Sequence, residues 1–283
     1  MNNELLSPAL LALLIVFVLA VGLGRWIHRQ ERRRGLIEQR DQPLVGDGIG
    51  GAFGFIGGSA AFLLGVLMLT SIDHFKATEE IAQAEAIAYS AAYDATAAAP
   101  AELQPQIRRD LACLMRSVVQ DSWSAVEAED LTGDENTQAW TLRAYATLKV
   151  VESERSTEQA AMERIEDGLA EAVKAGQSRL LSARASMPMP LWVVVYVSLF
   201  IVFLFVTLLL RPYPPFESLA LGPILMLTAA MLWTLAAYQA PFNKSDGVYI
   251  APEALEAVMT RLRDVYPGPA WEPCERLATS ERG

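Results

Sequence analysis

The chain has 283 residues, of which 52% are hydrophobic and 20% charged, and its net charge is −10. This combination indicates long apolar segments beside a strongly polar region. The acidic balance argues against a nucleic-acid-binding protein, because such proteins need a basic surface to displace counterions from phosphate. The two histidines and two cysteines show no recognisable ligand spacing, so the sequence predicts no metal site and no cofactor.

The first predicted element is a transmembrane helix over residues 1–27, followed by a basic loop over residues 28–48. An apolar helix of about 20 residues spans the hydrocarbon of a bilayer. Because Lys and Arg concentrate in short cytoplasmic loops, we predict that this loop is cytoplasmic and that both termini lie outside. The arginines are also expected to hold anionic lipid headgroups. Six arginines close the span or follow it: Arg25, Arg29, Arg32, Arg33, Arg34 and Arg40.

The second predicted span, residues 49–72, is rich in glycine and has no charged side chain between Asp47 and Asp73. Four glycines recur at four-residue spacing, which places them on one face of a helix. Such a row allows close backbone approach, so we predict either a helix–helix seam or a stripe along a pore or oligomer axis. In the second case phenylalanines would form a hydrophobic constriction. The residues are Gly46, Gly50, Gly54 and Gly58, with Phe53, Phe55 and Phe62.

Residues 73–190 form a polar insert that is predicted to be helical, with three or four long helices in a bundle or coiled coil. It holds 20 acidic and 11 basic residues, most of the chain's negative charge. Apolar residues recur at three- and four-residue spacing, as in Ile107, Leu111, Leu114 and Val118.

Two more apolar segments, residues 191–210 and 216–238, predict the third and fourth spans. The tail, residues 239–283, has a short amphipathic helix over residues 254–262 and a proline-rich end that is expected to be disordered. The fold class predicted for the chain is therefore an all-α membrane protein with four transmembrane helices and a long helical insert. This topology puts Cys113 and Cys274 on the same outer, oxidising side, so a disulfide between them is a hypothesis.

Several stretches together resemble the bacterial bestrophin-like family of four-span proteins. They read GFIGGSAAFLLG, EAIAYSAAYDATAAAP, IRRDLACLMRSVVQDSW and APFNKSDGVYIAPEAL. The positions that match the family's motifs are Glu85, Tyr93, Pro100, Trp123, Pro241, Phe242, Gly247 and Pro252. Two departures stand out: Ser122 replaces an acidic residue before Trp123, and Gln239 with Ala240 replaces an acid–base pair before Pro241.

The resemblance implies similarity to bestrophins, which are pentameric anion channels with the pore lined by the second span. We therefore expect a homo-oligomer in the lipid bilayer, and a bestrophin-like ion channel or pore rather than an enzyme. Its expected location is a bacterial inner membrane. Bestrophins keep the insert and both termini in the cytosol, whereas the arginines here predict them outside. The alternative function is a structural or sensory membrane protein whose helical outer domain binds a partner.

Overall fold

The computed structural model describes residues 8–33, 47–128, 134–149, 156–183, 187–209, 214–244 and 248–277. In these ranges all regular secondary structure is helical, which confirms the predicted all-α fold. The helices are α1 (Pro8–Arg33), α2 (Asp47–Ala95), α3 (Gln104–Ser117), α4 (Trp123–Glu127), α5 (Glu135–Lys149), α6 (Ser156–Ala183), α7 (Met189–Leu209), α8 (Pro214–Gln239) and α9 (Glu253–Val265). A π-helical turn, Val118–Ser122, joins α3 to α4.

Four helices are long and apolar enough to cross a membrane, and they lie where the four spans were predicted. The candidate membrane-spanning segments are Pro8–Gln30, Gly54–Ala98, Met189–Leu209 and Leu221–Gln239, and the second of them includes charged residues from position 73 on. Two boundaries differ from the prediction. Helix α1 continues to Arg33, so the first arginines belong to a helix and not to a loop, while Arg34 and Arg40 lie outside the described residues.

Helix α2 does not end at the predicted end of the second span. It continues for 49 residues and is therefore about 74 Å long, far more than the roughly 30 Å of bilayer hydrocarbon. The physical reason is local: residues 73–95 are rich in alanine and glutamate, strong helix formers, and contain no glycine or proline. The chain divides into two compact units, and the boundary between His74 and Phe75 falls within this helix.

The first unit, residues 1–74 and 186–239, contains α1, the first part of α2, α7 and α8. Helices α1 and α7 pack closely, since a Cβ at Gly24 would lie 2.8 Å from Thr207 Cγ2. Phe17 and Phe203 pack edge to face with ring centroids 5.2 Å apart. The buried apolar residues are Leu13, Ala20, Leu64, Leu67, Val195, Leu199, Phe203, Val206, Leu221, Leu232 and Leu235.

The second unit, residues 75–185 and 240–283, packs the rest of α2, α3 to α6, α9 and the tail around one apolar core. The predicted stripe on α3 is buried, with Ile107, Leu111 and Leu114 at most 2% exposed. Helices α2 and α6 meet at Gly168, where a Cβ would lie 3.0 Å from the Ala92 backbone nitrogen. Within the described part of the tail, residues 248–277, the expectation of disorder is wrong, because Trp271 is buried in this core.

Candidate functional site

The membrane-embedded part of α2 has an open face within one chain. The glycines Gly51, Gly54, Gly57, Gly58 and Gly65 have no atom of another described element within 4 Å of an added Cβ. Beside them Phe55 is 77% exposed and Phe62 is 74% exposed. Gly54 and Gly58 of the predicted seam therefore make no close contact with another helix among the described residues of the chain, so a seam with another chain or a pore stripe stays a prediction for them.

The open face of α2 differs in chemistry from the exposed face of α1. Small residues make up much of it, namely Gly54, Gly58, Ser59, Ala61 and Gly65. The exposed face of α1 consists mainly of large aliphatic side chains, namely Leu11, Leu14, Ile15, Val18, Leu19 and Leu23. Large aliphatic faces suit lipid, whereas small residues concentrate where transmembrane helices pack against one another.

Three of the predicted α2 residues lie beyond this description. Gly46 is outside the described residues, and Gly50 lies in the first turn of α2. Phe53 belongs to α2, but its side chain is not among those described.

In the second unit a buried polar cluster is formed by Glu85, Ser122, Trp123 and Arg179. Arg179 is 1% exposed and its Nε donates to Glu85 Oε2 at 2.8 Å. Its Nη2 donates to Ser122 Oγ at 3.0 Å, and its Cζ lies 4.5 Å from the Trp123 ring centroid. The cluster thus joins α2, the π-helical turn, α4 and α6 through one guanidinium group.

The close fit of the ion pair depends on Gly176, one turn before Arg179 on α6. A Cβ at Gly176 would lie 2.9 Å from Glu85 Oε1, so a larger residue would displace the carboxylate. A buried ion pair holds only when both charges stay paired and hydrogen-bonded, because each is costly to remove from water. This glycine therefore lets the carboxylate reach its partner.

A cavity of about 380 Å³ adjoins this polar cluster and is lined by Glu85, Ser122, Arg179, Asp134 and Thr137, among others. Burial raises the pKa of Asp134, and the positive charge of Arg179 opposes that rise only in part. Arg179 Nη1, Asp134 Oδ1 and Thr137 Oγ1 are buried without a protein partner among the described residues. Such a polar cavity is suited to ordered water.

The structure brings several of the family-motif positions together in this unit. Glu85 and Trp123 meet at Arg179, and Phe242 packs edge to face on Trp123 with centroids 5.5 Å apart. Tyr93 packs on Trp271 at 5.5 Å.

The motif prolines have local roles in turns and helix starts. The carbonyl of Pro100 accepts from the backbone of Gln104, that of Pro241 from Ile250, and that of Pro252 from Glu256. Gly247 lies outside the described residues.

Arg179 is the central residue that sequence reasoning missed. The spacing of residues on α6 could have indicated it, because one helical stripe at spacings of four and three contains Ile165, Leu169, Ala172, Gly176 and Arg179. The first three of these residues are fully buried. Arg179 therefore continues the buried stripe of α6.

The tail is fastened to α3 by covalent and polar contacts. Cys113 and Cys274 are joined by a disulfide, with Sγ atoms 2.00 Å and Cα atoms 5.6 Å apart. Arg116 donates to the carbonyls of Glu272 and Trp271, and Arg109 to those of Pro269 and Pro273. The proline-rich end was predicted to be disordered from its composition. In its described part the disulfide and these side-chain contacts take the place of regular backbone pairing.

Taken together, the spans and the helical second unit define a multi-pass helical membrane protein. A sequence profile described as the bestrophin-like domain matches residues 12–252. The chain belongs to the bestrophin-like family. A search of curated proteins finds no significant match.

Solved structures show the same fold. The chain is similar to three crystal structures of a bacterial bestrophin homologue from Klebsiella pneumoniae, each carrying one substitution. Two of them have a TM-score of 0.63, and each match covers 90% of this chain. The first has 12% sequence identity and is covered over 99% of its own length, and the second has 14% identity and is covered over 97%. The third has a TM-score of 0.62 and 12% identity over 93% of this chain and 100% of the other.

Proposed function

We propose that this protein is a homo-oligomeric ion channel in which the open face of α2 from each copy surrounds the conduction axis. The observation that carries the proposal is the difference between α2 and α1. Helix α2 leaves five glycines and two phenylalanines uncovered, with Val66 and Leu69 exposed further along, while α1 exposes mainly large aliphatic side chains. Membership of the bestrophin-like family and the likeness to a bestrophin homologue support it.

Phe55 and Phe62 are the proposed constriction. They are seven residues apart, two helical turns, and therefore lie on one face of α2. Rings of phenylalanine from several copies would form a hydrophobic constriction that closes by dewetting. The glycines and Ser59 beside them leave room for helices to approach each other.

The proposed location is the inner membrane of a bacterium, with the second unit outside. Two observations support this orientation. The arginines that follow the first span favour a cytoplasmic side, where anionic lipid headgroups would contact them. The Cys113–Cys274 disulfide lies in the second unit, and disulfides persist in oxidising compartments.

A second candidate function is that of a sensory or structural membrane protein. The observation in its favour is that α2 is one uninterrupted helix of 49 residues that belongs to both compact units. A partner bound to the second unit could shift this helix, and the channel assay below separates the two functions.

The channel proposal is tested by ion flux and native mass in liposomes, with Gly54→Leu as the test variant. The new side chain fills the open face of α2, so we expect both the oligomer and the flux to be lost. Gly22→Leu is the matched control, since Gly22 is also exposed with nothing within 4 Å but lies on the aliphatic face of α1.

The outcomes separate the two candidate functions. Flux in the wild type and in Gly22→Leu, but not in Gly54→Leu, supports a pore along α2. An oligomer that survives Gly54→Leu unchanged would refute the subunit contact. Folded, oligomeric wild-type protein without any flux would refute the channel and favour the sensory or structural function.

A further inference from the structure

A second cavity, of about 600 Å³, lies beside the disulfide in the second unit. Helices α3, α5 and α9, the π-helical turn and the tail all contribute to its wall. Its volume falls within the roughly 300–1,000 Å³ of ligand-binding pockets. The polar and aromatic residues that line it include Arg116, Asp121, Asn136, Arg263, Trp271 and Arg276. We call it the arginine pocket.

Among the described residues, the arginine pocket has positive charge that no carboxylate pairs with. Arg116 and Arg263 have no carboxylate partner among the described residues, although the chain as a whole is acidic. Arg263 makes no hydrogen bond within the described residues, and its guanidinium lies 5.7 Å from the Trp271 ring centroid. Arg116 approaches the same ring at 5.9 Å.

Two like charges therefore lie against one indole ring. Burial, and then the charges of Arg263 and Arg109, lower the pKa of Arg116. Clustering of unpaired like charges is unfavourable unless an anion occupies the space beside them.

The acidic side chains that line the pocket form no ion pair with Arg116 or Arg263 among the described residues. Asp121 accepts from Asn136 Nδ2 at 2.6 Å and pairs with Arg276 at 3.2 Å, so its charge is already matched. Glu275 is exposed to solvent. The charge that remains for a ligand is that of Arg116 and Arg263.

We propose that the arginine pocket binds the phosphate group of an anionic small molecule, with Arg263 as its main contact. Arg116 adds its charge, while its Nη atoms also donate to the carbonyls of Glu272 and Trp271. Guanidinium groups recognise phosphate through paired hydrogen bonds, and a phosphate has enough oxygens to serve two of them at once. The indole of Trp271 and the amide of Asn136 offer further contacts to the rest of the molecule. The inference concerns the second unit and does not rest on the channel proposal.

Calorimetric titration of the purified full-length protein with pyrophosphate tests the site. Arg263→Gln removes one charge from an exposed side chain that makes no hydrogen bond within the described part of the chain, so the fold is expected to survive. We expect pyrophosphate affinity to fall about tenfold, as for the loss of one charge-assisted contact. Arg164→Gln is the matched control, because Arg164 is an exposed arginine of α6 outside the pocket, and it should bind like the wild type.

The source of the phosphate is distinguished by repeating the titration in phosphatidylcholine nanodiscs with and without phosphatidic acid. If lipid headgroups occupy the pocket, phosphatidic acid will weaken pyrophosphate binding to the wild type and to Arg164→Gln. If free metabolites are the ligands, the two kinds of disc will give the same affinity. Either result supports the site.

Two results would overturn the proposal. The first is folded wild-type protein that binds no pyrophosphate at millimolar concentration in either disc. The second is an equal loss of affinity in Arg263→Gln and Arg164→Gln, which would mean that pyrophosphate responds only to net charge.

Discussion

At the scale of single residues, one substitution explains much of the buried polar cluster. The family resemblance places an acidic residue before Trp123, but this chain has Ser122, whose hydroxyl accepts from Arg179. The carboxylate of Glu85 forms the ion pair with the guanidinium. Asp134 is near enough for the charge of Arg179 to lower its pKa against the effect of burial. The second acidic side chain of the region thus comes from the turn before α5.

The ion pair makes Glu85 a sensitive position. Glu85→Gln leaves Arg179 as an uncompensated buried charge, so we expect the local stability of α6 to fall by about 3–5 kcal/mol. Hydrogen exchange of the α6 backbone amides measures this. In the double variant Glu85→Leu with Arg179→Met both charges are absent, and most of the protection should return. Unchanged protection in Glu85→Gln would show that the pair is not closed in solution.

At the scale of elements, periodicity predicted the helices well but not their partners. Apolar spacing placed the buried stripe of α3 correctly, because a helix repeats every 3.6 residues whatever it packs against. The glycine row of α2 did not identify a packing partner, because glycine spacing shows only that another helix can approach closely. Among the glycines that the structure describes, those that make close approaches within one chain are Gly24, Gly168 and Gly176.

Only part of the buried polar cluster could be predicted from the sequence, because spacing along a helix does not identify the residue that a side chain will contact. Glu85 and Trp123 were identified through the family motifs, but the contact with Arg179 joins positions 94 residues apart. No local pattern specifies a contact of that separation. Arg179 also lies on a helix with several other charged residues, and only its register with Ile165 and Leu169 distinguishes it.

The contact of α2 with α6 gives a prediction at this scale. In Gly168→Ala the added Cβ meets backbone atoms of Ala92 at 3.0 and 3.2 Å, and backbone cannot move aside as a side chain can. We expect a loss of about 1–3 kcal/mol, typical of overpacking, and a lower thermal unfolding midpoint. Gly22→Ala is the control, because its Cβ meets open space and alanine favours the helix. A Gly168→Ala midpoint at or above that of Gly22→Ala would contradict the close contact.

At the scale of the whole molecule, the disulfide relates the fold to the membrane topology. Cys113 and Cys274 are 161 residues apart in sequence, and the third and fourth spans lie between them. A bond between them requires that an even number of spans separates the two cysteines and that the compartment is oxidising. The four-span topology meets the first condition, and the arginines after the first span favour the second.

The compartment can be read from thiol labelling, because these are the chain's two cysteines. In intact spheroplasts the wild type should not react with a membrane-impermeant maleimide unless a reductant is added. Cys113→Ser frees Cys274, which is only half-buried, and it should be labelled without lysis. Labelling of Cys113→Ser only after lysis would place the second unit in the cytosol, as in bestrophins. Labelling of the wild type without reductant would instead show that the two thiols do not pair, and the orientation would then depend on the arginines alone.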